Sequence, residues 1–182
     1  MKHLVLVVSL LIAPSVHATD FAGYDLVIPV AGRTAGAHGS VWRTDIYVTN
    51  ADRRPIGPDQ SVSIVAGSQV LQANLPPRST VVIRDFTHPE GIGSVRIGST
   101  DPSAKLTARA RIYNVGSAVG EYGQTVQALP ATKLSRETYL PGLTGVNGNR
   151  TNVGIANPAS TATDVFLSLY DETGEFRGGF SV

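Results

Sequence analysis

The sequence has no cysteine among its 182 residues. This absence excludes disulfide bonds, thiol nucleophiles and thiolate ligands for a metal. A domain without disulfide bonds must be held together by its hydrophobic core, and about 110 residues are enough to build one. Histidine is scarce as well, with four in the chain, so a zinc site, which usually uses His or Cys, is disfavoured.

Charged residues make up only 16% of the chain, and no window shows sustained helical periodicity. Glycine and proline are frequent instead, with 19 and 11 residues. This composition is typical of a protein built from strands and turns. The 15 basic residues nearly balance the 14 acidic ones, whereas nucleic acid binding requires a clustered basic excess. We therefore expect no nucleic acid partner.

Residues 1–18 have the layout of a secretory signal peptide. Lys2 gives a basic start, Leu4–Ile12 is apolar, and Ala18 ends a small-x-small cleavage pattern. The apolar run is too short to cross about 30 Å of hydrocarbon as a helix. We expect cleavage after Ala18, a secreted, periplasmic or cell-surface location, and no membrane insertion of the mature chain.

Short runs rich in Val, Ile, Thr and Tyr follow one another along the chain, each bounded by Gly, Pro, Asn or Asp. The clearest is Lys105–Asn114, where Leu106 and Ala108 belong to one alternating set and Arg109 and Arg111 to the other. Such alternation indicates a strand with one face in the core and one in water. Strands are predicted at 24–30, 41–50, 61–66, 69–75, 80–86, 93–98 and 105–114, and their spacing favours a sandwich or barrel.

The most informative feature is a partial internal repeat. Arg43–Asn50 has a second copy at Arg150–Asn157, 107 residues later, and each copy is preceded by a hydrophobic residue and a proline. A period of this size is a small domain and not a solenoid unit. Both copies place aliphatic residues on the inward register and end on an Asn. We expect that Asn to hydrogen-bond the backbone of the following turn.

The succession of hydrophobic-Pro, Gly-rich loop, Arg-Thr-[Asp/Asn], strand closing on Asn and hairpin resembles repeats of secreted bacterial proteins with Ig-like β-sandwich folds. The segment Tyr122-Gly123-Gln124 is similar to such chains as well. The resemblance covers 24–182, implies an all-β fold and a surface-associated protein, and implies no catalytic residues. We predict an Ig-like antiparallel β-sandwich at 19–130, a linker at 131–136 and an incomplete second β-sandwich repeat at 137–182.

The incomplete repeat has too few strands to enclose a core. Strands predicted at 138–143, 149–157 and 164–170, with a last arm near 175–182, would leave an apolar face and open edges. The half-repeat could pack on the first domain, pair with another chain as a strand donor or dimer partner, or be the remnant of a truncated reading frame. Truncation is the preferred interpretation, and completion by a protein partner or a second copy comes next.

The two histidines outside the signal peptide offer weak candidates for chemistry. His38 lies in a Gly-rich loop near Ser40, but no nucleophile-elbow pattern surrounds that serine. His88 lies between Asp85 and Glu90, where a polar turn is a better interpretation than a zinc site. A calcium ion, which accepts loop carboxylates, is left open. We expect no enzyme activity, no catalytic residue and no cofactor.

The outward registers of two predicted strands combine arginine with tyrosine. Arg43 precedes Tyr47 and Arg111 precedes Tyr113, which makes these four the candidate binding residues, although surface stacking of Arg on Tyr is the preferred interpretation. If Trp42 shares one exposed flat face with both tyrosines, a carbohydrate-binding module is favoured. The carbohydrate-binding module is the alternative; we predict an exported, non-catalytic protein with a structural or adhesive role at the cell surface or outside the cell.

Overall fold

The computed structural model describes most of the chain after residue 20. The described residues are 21–36, 39–56, 59, 61–116, 120, 122–143, 153–159 and 161–182. The predicted signal peptide at 1–18 lies outside this part. None of the described residues belongs to a helix with the length and hydropathy needed to cross a bilayer.

The described chain is all-β, as the sequence predicts. A single 3-10 turn lies at Ala131–Lys133. The strands are β1 Asp25–Gly32, β2 Thr34–Ala35, β3 Val41–Asn50, β4 Ser61–Ala66, β5 Gln69–Asn74, β6 Thr80–Ile83, β7 Ile92–Gly98, β8 Leu106–Val115, β9 Gly123–Gln127, β10 Leu129–Pro130, β11 Phe166–Tyr170 and β12 Phe176–Ser181.

Strands β1 to β10 form two antiparallel sheets. One sheet has the order β10-β1-β7-β4-β5. The other has the order β2-β3-β8-β9, and β6 pairs with β3 along the edge that β2 also uses. The chain crosses from one sheet to the other between β1 and β2, β3 and β4, β5 and β6, β6 and β7, β7 and β8, and β9 and β10.

The core lies between the two sheets and is formed by alternate residues of their strands. On β3, for example, Ile46 and Val48 are fully buried, and on β4 Val62 and Ile64 are buried in the same core. This alternation confirms the register predicted from the sequence. The buried cluster consists of Leu26, Ile28, Ala31, Ile46, Val48, Ile56, Val62, Ile64, Ala66, Leu75, Phe86, Val95, Ile97, Ala104, Leu106, Ala108, Ala110 and Ala128.

A polar contact fixes the point at which the chain leaves the first sheet. The Thr44 hydroxyl on β3 donates to the Gly32 carbonyl oxygen at 2.7 Å and accepts from the Gly32 amide at 3.1 Å. Gly32 has a φ of +136°, and a Cβ there would lie 2.2 Å from the Gly91 carbonyl oxygen. Only glycine therefore fits at this crossover.

The predicted strand 80–86 is shorter in the structure, because β6 ends at Ile83. Arg84 and Asp85 form a turn instead, and Asp85 has a positive φ of 48°. A residue in this conformation cannot continue a strand. The turn folds the chain back toward β3, where the Phe86 amide donates to the Thr44 carbonyl oxygen at 2.7 Å.

The second repeat forms fewer strands than predicted. Residues 138–143 carry no strand, and neither do 153–157, while 149–152 lie outside the described residues. In the first copy β3 is paired along both edges, by β8 and by β6. No described strand offers such pairing to the second copy, so its backbone stays irregular there. Only the hairpin of β11 and β12 forms.

The sandwich is confirmed, whereas the Ig-like assignment concerns connectivity and stays a prediction. In constant-type Ig domains the first two long strands are neighbours in one sheet. Here β1 lies between β7 and β10, and β3 belongs to the other sheet.

Candidate binding face

The outward surface of β3 and β8 collects the arginines and tyrosines that the sequence singles out. The antiparallel register places Arg43 opposite Tyr113, and Tyr47 opposite Arg109. Directly opposed residues have Cβ atoms about 5 Å apart on the same side of a sheet. We call this surface the arginine–tyrosine face. Its members are Arg43, Asp45, Tyr47, Arg109, Arg111 and Tyr113.

Two exposed arginines of this face stack on its tyrosines. The guanidinium carbon of Arg109 lies 4.9 Å from the centroid of the Tyr47 ring, and that of Arg111 lies 4.6 Å from the centroid of the Tyr113 ring. Each such contact at an exposed site contributes about 0.5–1 kcal/mol. Within the described residues, neither arginine forms an ion pair with a carboxylate.

Asp45 lies on the outward register of β3, directly opposite Arg111, and is nevertheless only 2% exposed. Its carboxylate accepts hydrogen bonds from the Asp85 amide at 2.9 Å, from Arg84 Nη1 at 3.1 Å and from the Tyr113 hydroxyl at 3.3 Å. The turn after β6 therefore covers Asp45 and neutralises its charge. Burial raises the pKa of the Tyr113 hydroxyl, and the negative charge of Asp45 raises it further.

The second carboxylate near the face is also engaged by arginine. Asp85 Oδ2 lies 3.3 Å from Arg43 Nη1 and 3.6 Å from Arg33 Nη1. Arg43 Nε and Asp85 Oδ1 are buried and have no hydrogen-bond partner among the described residues. Arg43 therefore forms an ion pair within the protein, whereas the charges of Arg109 and Arg111 face solvent.

All four predicted binding residues lie on this one face, at Arg43, Tyr47, Arg111 and Tyr113. Sequence reasoning left out Arg109, although it shares the alternation of Arg111 and could have been found from it. It also left out Asp45, Arg84 and Asp85. The last two come from a turn with a positive φ, for which the sequence offers no clear signal.

Trp42 does not join the tyrosines. It pairs with Asn114 and Thr34 and belongs to the inward register of Thr44, on the opposite side of the sheet from Tyr47 and Tyr113. There it lines a small cavity. The three aromatics do not form one flat exposed face, and one face of each tyrosine ring is occupied by a guanidinium group.

An open groove of about 340 Å³ adjoins Tyr47 and Arg109. Its walls are rich in hydroxyl and amide groups, and the hydroxyls of Thr49 and Thr80 lie 2.8 Å apart. The lining residues are Phe21, Tyr47, Thr49, Thr80, Thr107, Ala108, Arg109 and Gln127.

The histidines do not build a reactive centre in the described part of the chain. His88 is buried, and its Nδ1 accepts a hydrogen bond from the Glu90 amide at 3.1 Å. His88 closes a tight turn in which the Gly91 amide donates to the His88 carbonyl oxygen at 2.9 Å. His38 lies outside the described residues. Among those described, no three His, Asp or Glu side chains are grouped as metal ligands.

The hairpin of β11 and β12 is a second notable surface, because its aromatic side chains are exposed to solvent. Phe166 is 80% exposed, Phe180 60% and Tyr170 60%, and apolar side chains occupy both faces of the hairpin. Within the described residues, β11 and β12 pair with each other only, so the outer edge of each strand is open.

Comparison with known proteins adds no relative. No family model, no curated protein and no solved structure matches this chain.

Proposed function

We propose that the protein is an exported, non-catalytic β-sandwich protein with a structural or adhesive role, and that it self-associates through the hairpin of β11 and β12. The exposure of that hairpin carries the proposal. A two-stranded hairpin with apolar side chains on both faces is only marginally stable in water by itself. Its open edges and exposed aromatic residues are a template for pairing with another chain.

A comparison with the first repeat supports a second copy as the partner. The positions of β12 lie 107 residues after those of β5, which is the spacing of the sequence repeat. The hairpin of β4 and β5 is joined to a larger sheet through β7, and its inward residues Val62 and Ile64 are buried. The corresponding hairpin β11–β12 has no such neighbour among the described residues, and association of two copies would provide one.

The absence of catalysis is proposed from how the polar groups are used. The Nδ1 of His88 accepts a hydrogen bond from a backbone amide, and the Asp45 carboxylate accepts hydrogen bonds from three donors. A catalytic group needs a free nucleophile or base beside a substrate site. The polar groups described here stabilise turns and sheet surfaces instead.

Light scattering after size exclusion tests the self-association. The chain starting at residue 19 should have the mass of a dimer or a larger defined species, with a dependence on concentration. Phe166→Thr and Phe180→Thr, which keep strand-forming residues but remove exposed apolar area, should shift the mass toward the monomer.

Val70→Thr is the matched control, because Val70 is 56% exposed on β5 and lies outside the hairpin. It should leave the mass unchanged. A wild-type chain that remains monomeric at every concentration would contradict self-association, and so would a Val70→Thr variant that dissociates as completely as the hairpin variants.

A separate experiment tests export. The full sequence is produced in a bacterial host and the exported fraction is analysed by mass spectrometry. A mature chain beginning at Thr19 is expected. Recovery of an uncleaved chain in the cytoplasm alone would contradict the proposed location.

A further inference from the structure

We propose that the arginine–tyrosine face binds an acidic polysaccharide, and that Arg109 and Arg111 receive its carboxylates. This site is independent of the hairpin, and it goes beyond a structural or adhesive role by naming a ligand class. The inference begins with an imbalance of charge on the outward surface of β3, β8 and the turn after β6.

Four arginines and two aspartates occupy that surface, and both aspartates are already paired. Arg84 pairs with Asp45, and Arg43 pairs with Asp85, which a fifth arginine, Arg33 from the segment between β1 and β2, also approaches to 3.6 Å. The described residues leave no carboxylate for Arg109 and Arg111. The face therefore presents two positive charges to solvent although the chain as a whole is nearly neutral.

The two free arginines are held in place before any ligand arrives. Each guanidinium rests on a tyrosine ring, and both side chains project from the same central strand, β8. A pre-positioned arginine loses little conformational freedom on binding, and its planar fork suits a carboxylate. Residues two apart on one face of a strand are about 7 Å apart. The two guanidinium groups therefore extend from one face of the same strand, and a polymer lying across that face can contact both of them with its acidic groups.

The groove beside Arg109 favours a sugar polymer over other polyanions. Its wall contains the hydroxyls of Thr49, Thr80 and Thr107, which can donate to and accept from sugar hydroxyls, and the amide of Gln127, whose Nε2 also donates to the Ala108 carbonyl oxygen at 2.7 Å. Single-stranded nucleic acid binds to free aromatic faces. One face of each of the Tyr47 and Tyr113 rings is covered by arginine, which disfavours that class of ligand.

The test uses polygalacturonate, a carboxylated polysaccharide, titrated into the chain starting at residue 19 by calorimetry at low ionic strength. Dextran, a neutral polysaccharide, should not bind. The Arg109→Gln/Arg111→Gln variant should bind polygalacturonate about tenfold more weakly or worse, because charge-assisted hydrogen bonds to both arginines are lost. Added salt should weaken wild-type binding, since exposed charges are screened.

Two further variants make the result specific to the face. Arg53→Gln removes an exposed arginine that lies outside the face and should leave affinity unchanged. Arg109→Lys/Arg111→Lys keeps the charge but loses the planar fork, and should bind more weakly than the wild type. Equal losses in Arg53→Gln and in the double Gln variant would overturn the proposal, because net charge would then be the cause.

Other outcomes also count against it. Tighter binding of poly-glutamate or of single-stranded DNA would assign the face to another class of macromolecule, and no binding of polygalacturonate would remove the ligand proposed here. Light scattering on the same samples reports the oligomeric state separately. Loss of self-association with binding intact would contradict only the function proposed for the hairpin, and the reverse result would contradict only this ligand.

Discussion

Asn50 and Asn157 make the same pair of hydrogen bonds, 107 residues apart. Asn50 Oδ1 accepts from the amide two residues on, at Asp52, at 3.0 Å, and its Nδ2 donates to the Arg54 carbonyl oxygen at 3.3 Å. Asn157 Oδ1 accepts from Ala159 at 3.0 Å, and its Nδ2 donates to the Thr161 carbonyl oxygen at 2.8 Å. The turn chemistry predicted for the Asn at the end of each copy is present in both, although only the first copy precedes it with a strand.

Replacing these two residues should have unequal effects. Asn50 is fully buried and also donates to the Leu75 carbonyl oxygen at 3.4 Å. Asn50→Ala leaves buried backbone groups unsatisfied and should cost about 1–3 kcal/mol of unfolding free energy, measured in denaturant. Asn157 is exposed, so Asn157→Ala should change the unfolding of the sandwich by less than about 0.5 kcal/mol. Equal losses of unfolding free energy in the two variants would contradict this expectation and show that the turn contributes the same stability in both copies.

The features that the sequence predicts well are those that depend on alternation and short-range turns. The faces of β8, the hairpin of β4 and β5 and the Asn50 turn all follow from residues within about ten positions of one another. The features that it misses depend on distant parts of the chain. The burial of Asp45 requires Arg84 and Asp85 from another strand's turn, 39 and 40 residues away.

The second repeat illustrates the same limit. Its strand pattern matches that of Arg43–Asn50, but a strand also needs partners on its edges to satisfy its backbone groups. In the described structure those partners exist for β3 and not for 153–157. Local pattern alone therefore overestimates the strands of this segment. The position of Trp42, in contrast, could have been predicted from the sequence. Trp42 is two residues from the inward-facing Thr44, so it lies on the other side of the sheet from the two tyrosines.

Asp45 should stabilise the sandwich through the groups that it binds. Asp45→Ala removes the acceptor of the Asp85 amide and of Arg84, and it should lower the free energy of unfolding by about 1–3 kcal/mol. Asp45→Asn keeps one acceptor oxygen and the shape of the side chain, so it should lose less. Equilibrium denaturation of both variants measures the difference. A variant Asp45→Ala as stable as the wild type would show that the turn after β6 does not depend on this carboxylate.

Tyr113 should ionise later than an ordinary tyrosine. Burial is the main cause of its raised pKa, and the nearby Asp45 carboxylate adds to it. In an alkaline titration followed by tyrosinate absorbance, the wild type should therefore show one tyrosine that ionises at higher pH than the others, and Tyr113→Phe should lack it. Asp45→Asn should move that group to lower pH without restoring an ordinary value, because burial remains. An unchanged titration in Tyr113→Phe would contradict the assignment.

The hairpin of β11 and β12 should weaken in acid. Hydrogen bonds from the Thr173 hydroxyl, the Glu175 amide and the Arg177 guanidinium lower the pKa of Asp171 from 3.8 to about 2. A carboxyl group whose pKa is lower in the folded state stabilises it above the unfolded value, and that contribution is lost as pH falls through the folded value. The protection factors of the amides in 166–181, which are corrected for the pH dependence of intrinsic exchange, should therefore fall between about pH 4 and pH 2. Asp171→Asn should show no such step, and persistence of the step in that variant would assign it to another group.

Gly32 should be the glycine least tolerant of substitution in the described chain. A Cβ at this position would lie 2.2 Å from the Gly91 carbonyl oxygen and 2.9 Å from Ile92 Cα, and both of these are backbone atoms of the neighbouring strand segment. Neither can move without breaking the pairing of β1 with β7, so Gly32→Ala should cost about 3 kcal/mol or more.

Gly39→Ala separates the steric clash from backbone strain. Gly39 also has a positive φ, of 76°, but a Cβ there would have no atom within 4 Å. Its substitution should cost only the strain of the left-handed conformation, about 1–2 kcal/mol. Denaturation of the two variants side by side measures the contribution of the close approach at the crossover. If Gly39→Ala is as damaging as Gly32→Ala, conformation alone governs both sites, and the contact with Gly91 does not determine where β1 leaves its sheet.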